Sequence, residues 1–153
     1  MMSERANTTR MLAPHLVCDG AADAIDFYKK AFGAEEMVRI PGPSGRLMHA
    51  AVTINGSMVM LVDENKDYGA LSPKSLGGSP VTIYLNVPDV DDAVARAEAA
   101  GATIKMPVAD QFWGDRYGMI QDPFGHNWSI ATPLRDKPMN ESELREAAQK
   151  AMA

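Results

Sequence analysis

The sequence contains a single cysteine, Cys18, among its 153 residues, and it has no long apolar segment. One cysteine can neither close an internal disulfide nor form a thiolate metal cluster, so we interpret Cys18 as a small buried apolar side chain. No apolar run approaches the roughly 18–20 residues that span a bilayer, and the polar start MMSERANTTR does not resemble a signal peptide. The sequence therefore predicts a cytoplasmic protein without a membrane partner.

Basic residues are also in the minority. Fifteen Lys and Arg stand against 20 Asp and Glu, which gives a formal net charge of −5. Nucleic-acid binding needs a concentration of Lys and Arg that no segment supplies, so we expect no nucleic-acid partner. The length suffices for one hydrophobic core without disulfides or structural metal. The composition thus indicates one globular domain and leaves its function to the motifs.

Two segments alternate with the period of a β-strand. In 81–87 the odd positions are aliphatic, and the even positions are Thr82, Tyr84 and Asn86. In 47–54 one face is apolar (Met48, Ala50, Val52, Ile54) and the other is mixed (Leu47, His49, Ala51, Thr53). Asn55-Gly56 follows directly, and this dipeptide is typical of a two-residue hairpin turn. We therefore predict a hairpin over 47–62.

Two segments have the apolar spacing of amphipathic helices. The first is Ala21 to Phe32, with Asp19 as a candidate cap and Gly33 as a stop, and the second is Asp91 to Ala100. The two belong to an internal repeat, because Asp23-Ala24 recurs 69 residues later as Asp92-Ala93. Gly56 of the hairpin likewise recurs 69 residues later in the turn Asp122-Pro123-Phe124-Gly125. The chain is predicted to run strand-helix-strand-strand-strand twice.

The repeat divides the chain into segments. We predict a flexible N-terminus over 1–11, one domain over 12–133 made of module one (12–64) and module two (80–133), and a C-terminal tail over 134–153. Asn140 with Glu143 three residues later is a capping pattern, which places a helix in the tail from Asn140 to Met152. The Gly- and Pro-containing segment 63–78 between the modules is predicted to be a loop long enough to act as a flap.

The chain resembles the vicinal oxygen chelate superfamily, the glyoxalase and bleomycin-resistance proteins. The residues that carry the resemblance are the paired modules, Asp26-Phe27-Tyr28 before Phe32-Gly33-Ala34, and the run 122–126. Phe112-Trp113-Gly114-Asp115-Arg116 is similar to the PhnB-like subgroup, whose chemistry is mostly unassigned. The resemblance implies an α+β fold in which two βαβββ modules form a curved, partly open barrel-like sheet around a cavity, with a homodimer as the assembly.

The superfamily implies a metal ion held by His or Glu side chains from four strands. In this sequence the matching positions are Ala13, Met60, Thr82 and Ser129, none of which is a competent ligand for a divalent ion. We therefore expect no metal cofactor. A new site built from His15, His49 and Asp115 is a less favoured alternative.

The residues that we expect to face the cavity come from both modules. His49 lies opposite a fully apolar strand face and is the candidate catalytic acid-base residue. Arg116 could bind an anion and Trp113 could stack on a planar ligand, although Arg116, Asp115 and Trp113 could equally pin a loop. His126 follows a turn glycine and is interpreted as structural. The predicted ligand-binding residues are His15, Met60, Thr82, Tyr84, Asn86, Trp113, Asp115 and Arg116.

Three functions remain open from the sequence. The first is a small-molecule binding protein or metal-independent enzyme that uses the cavity. The second is a resistance protein that sequesters an antibiotic between apolar and aromatic walls without chemistry. The third is a metal-dependent lyase or isomerase of glyoxalase type.

Overall fold

The structure is a computed structural model that describes residues 12–153, so the predicted flexible N-terminus over 1–11 lies outside the described residues. Each half of the chain forms one four-stranded sheet and one packed helix. The first half comprises β1 (His15–Cys18), α1 (Ala21–Phe32), β2 (Glu35–Pro41), β3 (Leu47–Ile54) and β4 (Ser57–Asp63). The second half comprises β5 (Thr82–Asn86), α3 (Val90–Ala99), β6 (Thr103–Asp110), β7 (Asp115–Gln121) and β8 (Asn127–Pro133).

The two sheets have the same strand order. The first runs β1-β4-β3-β2 and the second runs β5-β8-β7-β6, with the two central strands antiparallel and the first strand of each module parallel to its last. The predicted α+β fold of two βαβββ modules is therefore confirmed. No strand pairing within residues 12–153 joins the two sheets, so they do not close into a barrel. No helix in this part of the chain is long and apolar enough to cross a membrane.

The predicted hairpin over 47–62 is present. Asn55 and Gly56 have φ angles of 48° and 84°, the left-handed conformation that a tight two-residue turn requires, and Ile54 pairs with Ser57 across it. The apolar face of β3 is buried as predicted at Ala50, Val52 and Ile54. On the opposite face His49 and Thr53 are half-buried, whereas Leu47 and Ala51 are buried. Met48 departs from the pattern, because it lies near the strand end and is 62% exposed.

Helix α1 has the predicted bounds but not the predicted cap. Gly20 occupies the cap position, and Asp19 makes no capping bond. The carboxylate of Asp63, 42 residues away at the end of β4, accepts hydrogen bonds from the backbone N–H groups of Gly20 and Ala21 at 3.0 and 2.8 Å. It also accepts one from Leu47 N–H at 2.7 Å. The expectation for Asp19 was wrong because a buried long-range carboxylate satisfies the helix terminus instead.

The second module repeats this device with a different residue. Thr132 lies 69 residues after Asp63, and its hydroxyl accepts a hydrogen bond from the backbone N–H of Val90, the first residue of α3, at 2.8 Å. The same hydroxyl donates to the carbonyl of Val87 at 2.9 Å. The helix of each module is thus tied to the last strand of its own sheet.

The segment between the modules is more ordered than a loop. It contains a short 3₁₀ helix (Lys66–Tyr68) and α2 (Pro73–Leu76), and Glu64 accepts a hydrogen bond from the backbone N–H of Ser72 at 2.7 Å. In the tail, α4 (Glu141–Met152) begins at the predicted capping box, in which Asn140 and Glu143 each accept from the other's backbone N–H.

A buried polar cluster joins the two modules. Tyr28 of α1 donates its hydroxyl to Asp122 Oδ2 at 2.5 Å, and the indole N–H of Trp128 donates to the same oxygen at 3.0 Å. Asp122 Oδ1 accepts from the backbone N–H groups of Phe124 and His126. Tyr28 and Trp128 are essentially inaccessible to solvent, so the hydrophobic core is continuous across both modules.

Candidate functional site

The open face of the first sheet, which is the face away from α1, forms a cavity of about 420 Å³. Its floor is built by cross-strand neighbours, since Ala51 of β3 pairs with Met60 of β4 and Met58 pairs with Thr53. The side chains that line it are Ala13, Met37, Val38, His49, Ala51, Met58 and Met60. The predicted cavity residues His49 and Met60 therefore lie together in an otherwise apolar pocket.

The structure brings His15 close to His49. The centroids of the two imidazole rings are 6.2 Å apart, with the ring planes at 85°. His15 lies on β1 directly opposite Met60 of β4, and β4 separates it from β3, which carries His49. The two rings consequently lean towards each other over the central strand. His15 also lines a cavity of about 570 Å³ between β1 and β5, together with Ile83 and His126.

Four positions correspond to the metal ligands that the family resemblance implies, and their side chains do not fit a divalent ion. Ala13 has no donor atom, Met60 offers only a thioether, and the hydroxyl of Ser129 is bonded to that of Tyr117 at 2.5 Å. Thr82, the fourth, pairs with Asn127 in the second sheet. Within residues 12–153 no group of three or more His, Cys, Asp and Glu side chains is arranged to hold a metal, and Asp115 does not join His15 and His49.

The second module has a separate cavity of about 510 Å³. The predicted residues Tyr84, Asn86, Trp113 and Asp115 line it, and Gly114 and Pro133 complete its sheet side. Its other wall comes from the C-terminal tail, through Arg135, Asp136, Lys137, Pro138, Met139 and Leu144. These tail residues are not marked by a motif in the sequence, apart from Leu144 on the apolar stripe of the terminal helix.

One carboxylate organises the aromatic side chains of this cavity. Asp115 Oδ2 accepts a hydrogen bond from the hydroxyl of Tyr84 at 2.6 Å and another from the indole N–H of Trp113 at 3.1 Å. Partial burial, together with the neighbouring Asp115 carboxylate, raises the pKa of Tyr84 to about 12. The phenol therefore remains protonated at neutral pH and keeps donating to Asp115.

A third aromatic ring, that of Tyr117, packs against the rings of Tyr84 and Trp113. Tyr117 is buried, and its ring centroid lies 6.0 Å from that of Tyr84 and 5.2 Å from that of Trp113, the latter nearly perpendicular at 78°. Such separations are typical of favourable aromatic pairs. Hydrogen bonds and ring packing together hold Tyr84 and Trp113 in defined positions.

The tail is joined to β7 at Gly114, whose carbonyl accepts a hydrogen bond from Leu134 N–H at 2.8 Å. The φ angle of Gly114, 99°, lies in the region that favours glycine. A Cβ at this position would lie 3.5 Å from both Arg135 and Met139, which is ordinary van der Waals contact. Glycine is therefore favoured here by its backbone conformation and not by a lack of space.

Arg116 does not enter this cavity. Adjacent residues on a strand point to opposite faces, so Arg116 lies on the side opposite Asp115. Its guanidinium pairs with Asp91 of α3 at 2.7 Å and with Asp110 of β6 at 2.9 Å. It is therefore not available as an anion anchor at Trp113, and Thr82 likewise lines none of the three cavities described.

The predicted cavity residues consequently divide into two groups. His49 and Met60 belong to the first-module cavity, with His15 beside them, whereas Tyr84, Asn86, Trp113 and Asp115 belong to the second. The residues expected to share one cavity thus line separate cavities in this structure, while the cavity of about 570 Å³ between β1 and β5 is lined by residues of both modules, among them His15 and Ile83.

The profile of the Glyoxalase/Bleomycin resistance protein/Dioxygenase superfamily matches residues 10–130, and the chain belongs to this superfamily. An uncharacterized protein of Mycobacterium bovis is 51% identical over 146 residues, which cover 94% of this chain and 96% of that protein.

Two solved structures share the fold. TioX from Micromonospora sp. ML1 is 28% identical, with a TM-score of 0.64 over 80% of this chain and 98% of that one. A PhnB protein from Bacillus cereus is 20% identical, with a TM-score of 0.62 over 80% and 98% of the two chains. The superfamily and a PhnB-like fold are therefore established, while the profile stops before the tail that lines the second cavity.

Proposed function

We propose that the protein binds a small planar aromatic molecule in the second-module cavity and that this binding requires no divalent metal ion. The observation that carries the proposal is the double hydrogen bond of Asp115, which fixes the rings of Tyr84 and Trp113 in the cavity wall. Rings that are already ordered lose little conformational entropy when a ligand stacks on them.

The charged residues of the tail suggest that the ligand carries an acidic group. Lys137 and Arg135 line the wall that faces the aromatic residues, with Asp136 between them in sequence. The other carboxylate of the cavity, Asp115, already accepts hydrogen bonds from Tyr84 and Trp113. Arg135 also contacts Glu143 at 3.4 Å, a distance that permits exchange with a ligand carboxylate or phosphonate. Asn86 adds an amide that can donate or accept a hydrogen bond. The ligand class favoured by these groups is an aromatic acid.

A thermal-shift screen tests the proposal with aromatic acids, phosphonates and aromatic antibiotics as probes. A ligand at about 100 times its Kd should raise the unfolding midpoint by about 5–10 °C, because binding to the folded state stabilises it by mass action. Tyr84→Leu should abolish this shift, whereas Tyr68→Leu, an exposed tyrosine outside this cavity, should leave it unchanged.

The charge of the ligand separates the proposal from antibiotic sequestration. Lys137→Ala should weaken the binding of aromatic acids about tenfold and leave neutral aromatic compounds unaffected. If only neutral drug-like molecules bind, sequestration by apolar and aromatic walls is the better description. Shifts that persist in Tyr84→Leu would show that the ligand lies elsewhere.

Removal of metal tests the second part of the proposal. Protein treated with a chelator should bind the ligand as well as untreated protein does, and added Zn²⁺, Ni²⁺, Mn²⁺ or Fe²⁺ should change neither binding nor turnover. Activity that appears only with one of these ions would favour a metal-dependent lyase or isomerase of glyoxalase type instead.

The first-module cavity supports a second candidate, acid-base chemistry by His49. The support is its position as a half-buried imidazole in an apolar pocket beside His15. If His49 acts in this way, His49→Ala should retain ligand binding and lose turnover. Unchanged turnover in this variant would remove His49 from the mechanism.

We also propose that the protein forms a homodimer and is located in the cytoplasm. The family resemblance supports the dimer, and the outward strand β2 leaves Met37, Val38 and Ile40 between 39% and 47% exposed in one chain. Sedimentation velocity at micromolar concentration should give twice the 16.5 kDa mass. Cell fractionation tests the location.

A further inference from the structure

We propose that the first-module cavity is a binding site for copper(I), held by His15 and His49 together with the thioether of Met60. This site is separate from the aromatic cavity of the second module and does not depend on the function proposed there. It also differs in residues and in type of ion from the divalent site that the superfamily implies. One face of the first sheet brings the donor atoms of these three residues together.

The register of the sheet places three donor residues side by side. His15 is the direct cross-strand neighbour of Met60, and the ring of His49 approaches that of His15 from the other side of β4. When two imidazole nitrogens bind one ion at about 2.0 Å, each ring centroid lies about 3.1 Å from the ion, so the centroids are about 6.2 Å apart for a near-linear pair and about 5.4 Å apart at a bond angle of about 120°. The observed centroid separation of 6.2 Å therefore fits a near-linear pair of imidazoles, with Met60 as a third and more distant donor.

The remaining donors around this face are sulfur atoms. Met58 lies two residues before Met60 on the same face of β4, and Met37 of β2 lines the same cavity. Thioether sulfur is a soft ligand that selects copper(I), whereas Mg²⁺, Ca²⁺ and Mn²⁺ prefer the carboxylate and carbonyl oxygens that are not among the side chains lining this cavity. The donor set is therefore matched to a soft ion.

The charge and polarity of the cavity agree with a monovalent ion. Its other lining side chains are Ala13, Val38 and Ala51, which carry no charge. A neutral donor set in apolar surroundings leaves a divalent ion with two uncompensated charges and copper(I) with one. The desolvation cost thus favours the smaller charge.

Anaerobic titration of the full-length protein with copper(I), against a chromophoric copper(I) chelator, tests the site. We expect one equivalent to bind, and we expect Met60→Leu and His49→Leu each to weaken binding at least tenfold. Met48→Leu is the matched control, because Met48 is adjacent to His49 on β3 but is 62% exposed outside the cavity. It should change the affinity less than twofold.

Spectroscopy and a second variant separate the outcomes. X-ray absorption of the copper-loaded protein should show nitrogen scatterers and at least one sulfur at about 2.3 Å. If Met60→Leu does not fold by circular dichroism, His15→Phe, at an exposed position, provides the same test. Absence of copper(I) binding, a nitrogen-only spectrum, or Zn²⁺ binding as tight as that of copper(I) would each overturn the proposal.

Discussion

Asp115 is the residue on which the arrangement of the second-module cavity depends, because one of its oxygens accepts from both Tyr84 and Trp113. Its carboxylate contributes to the raised pKa of Tyr84, about 12, beside the larger effect of burial. Asp115→Asn removes the negative charge and should lower the pKa of Tyr84 part of the way towards its ordinary value of 10. Ultraviolet titration of phenolate formation measures this change.

The titration needs a control because the chain has four tyrosines. Tyr84→Phe should remove one ionisation from the profile, and the same ionisation should be the one that moves in Asp115→Asn. If the two variants affect different ionisations, the hydrogen bond between Tyr84 and Asp115 does not determine the pKa.

Glu64 provides a prediction for acid stability. Its hydrogen bond from Ser72 N–H, the largest cause, lowers the pKa of Glu64 to about 2 from an ordinary value of 4.5. Because the folded-state pKa is the lower one, the stabilisation is present above about pH 4.5 and is lost as the pH falls towards 2. Glu64→Gln should therefore show a smaller fall in urea midpoint between pH 5 and pH 2.

Glu98→Gln is the control for this measurement, since Glu98 lies on α3 and is exposed. It should show the same acid response as the unmodified protein. An unchanged response in Glu64→Gln would mean that the link between Glu64 and Ser72 does not stabilise the folded state.

The sheet face on which a side chain lies could be predicted where the alternation of a strand determines it. His49 was placed on the open face because its neighbours Ala50, Val52 and Ile54 are apolar, and it lies there. Arg116 was misplaced, although the same alternation sets it opposite Asp115. Its partner Asp91 belongs to another element 25 residues away, and no local pattern indicates such a pair.

At the scale of elements, both modules attach the N-terminus of their helix to the last strand of their sheet, although the residues that do so differ. Asp63 in the first module and Thr132 in the second hold equivalent helices through side-chain oxygens, although one is charged and the other is not. Asp63→Ala leaves two buried N–H groups and one partly buried N–H group without this acceptor and should destabilise the protein by about 2–4 kcal/mol. Thr132→Ala should cost only about 1 kcal/mol.

Urea denaturation of both variants measures the difference. Asp63→Asn retains one side-chain oxygen and should fall between Asp63→Ala and the unmodified protein. Equal losses for Asp63→Ala and Thr132→Ala would show that the additional N–H groups of Gly20 and Leu47 gain nothing from the carboxylate.

The bounds of helices and hairpins could be predicted, because they depend on residues close together in the sequence. The hydrogen bonds that connect these elements to distant residues could not. The bounds of α1 follow from its apolar spacing and Gly33, and the hairpin follows from Asn55-Gly56. The cap of α1 could not be identified in the same way. Asp19 has the right residue type in the right place, but Asp63 reaches the helix because folding brings β4 beside it.

At the scale of the whole molecule, the division into two cavities depends on how the modules meet. Their cores merge through α1 and α3, while their sheets remain unpaired. The cavities of about 420 and 510 Å³ each belong to one half of the chain, whereas the cavity of about 570 Å³ is lined by residues of both modules. Sequence repeats predict two similar modules but contain no information on their relative placement. The tail that completes the second cavity has no counterpart in the repeat.

The joined core predicts that both modules unfold together. Tyr28 of module one and Trp128 of module two bind the same buried Asp122, so neither module can open without exposing this cluster. In Trp113→Phe, fluorescence reports only Trp128, and its urea transition should coincide with the loss of helix measured by circular dichroism. Adding Tyr28→Phe should lower stability by about 1–3 kcal/mol and keep the two transitions coincident. Separate transitions in Trp113→Phe itself would show that the modules fold independently and that the shared cluster does not couple them.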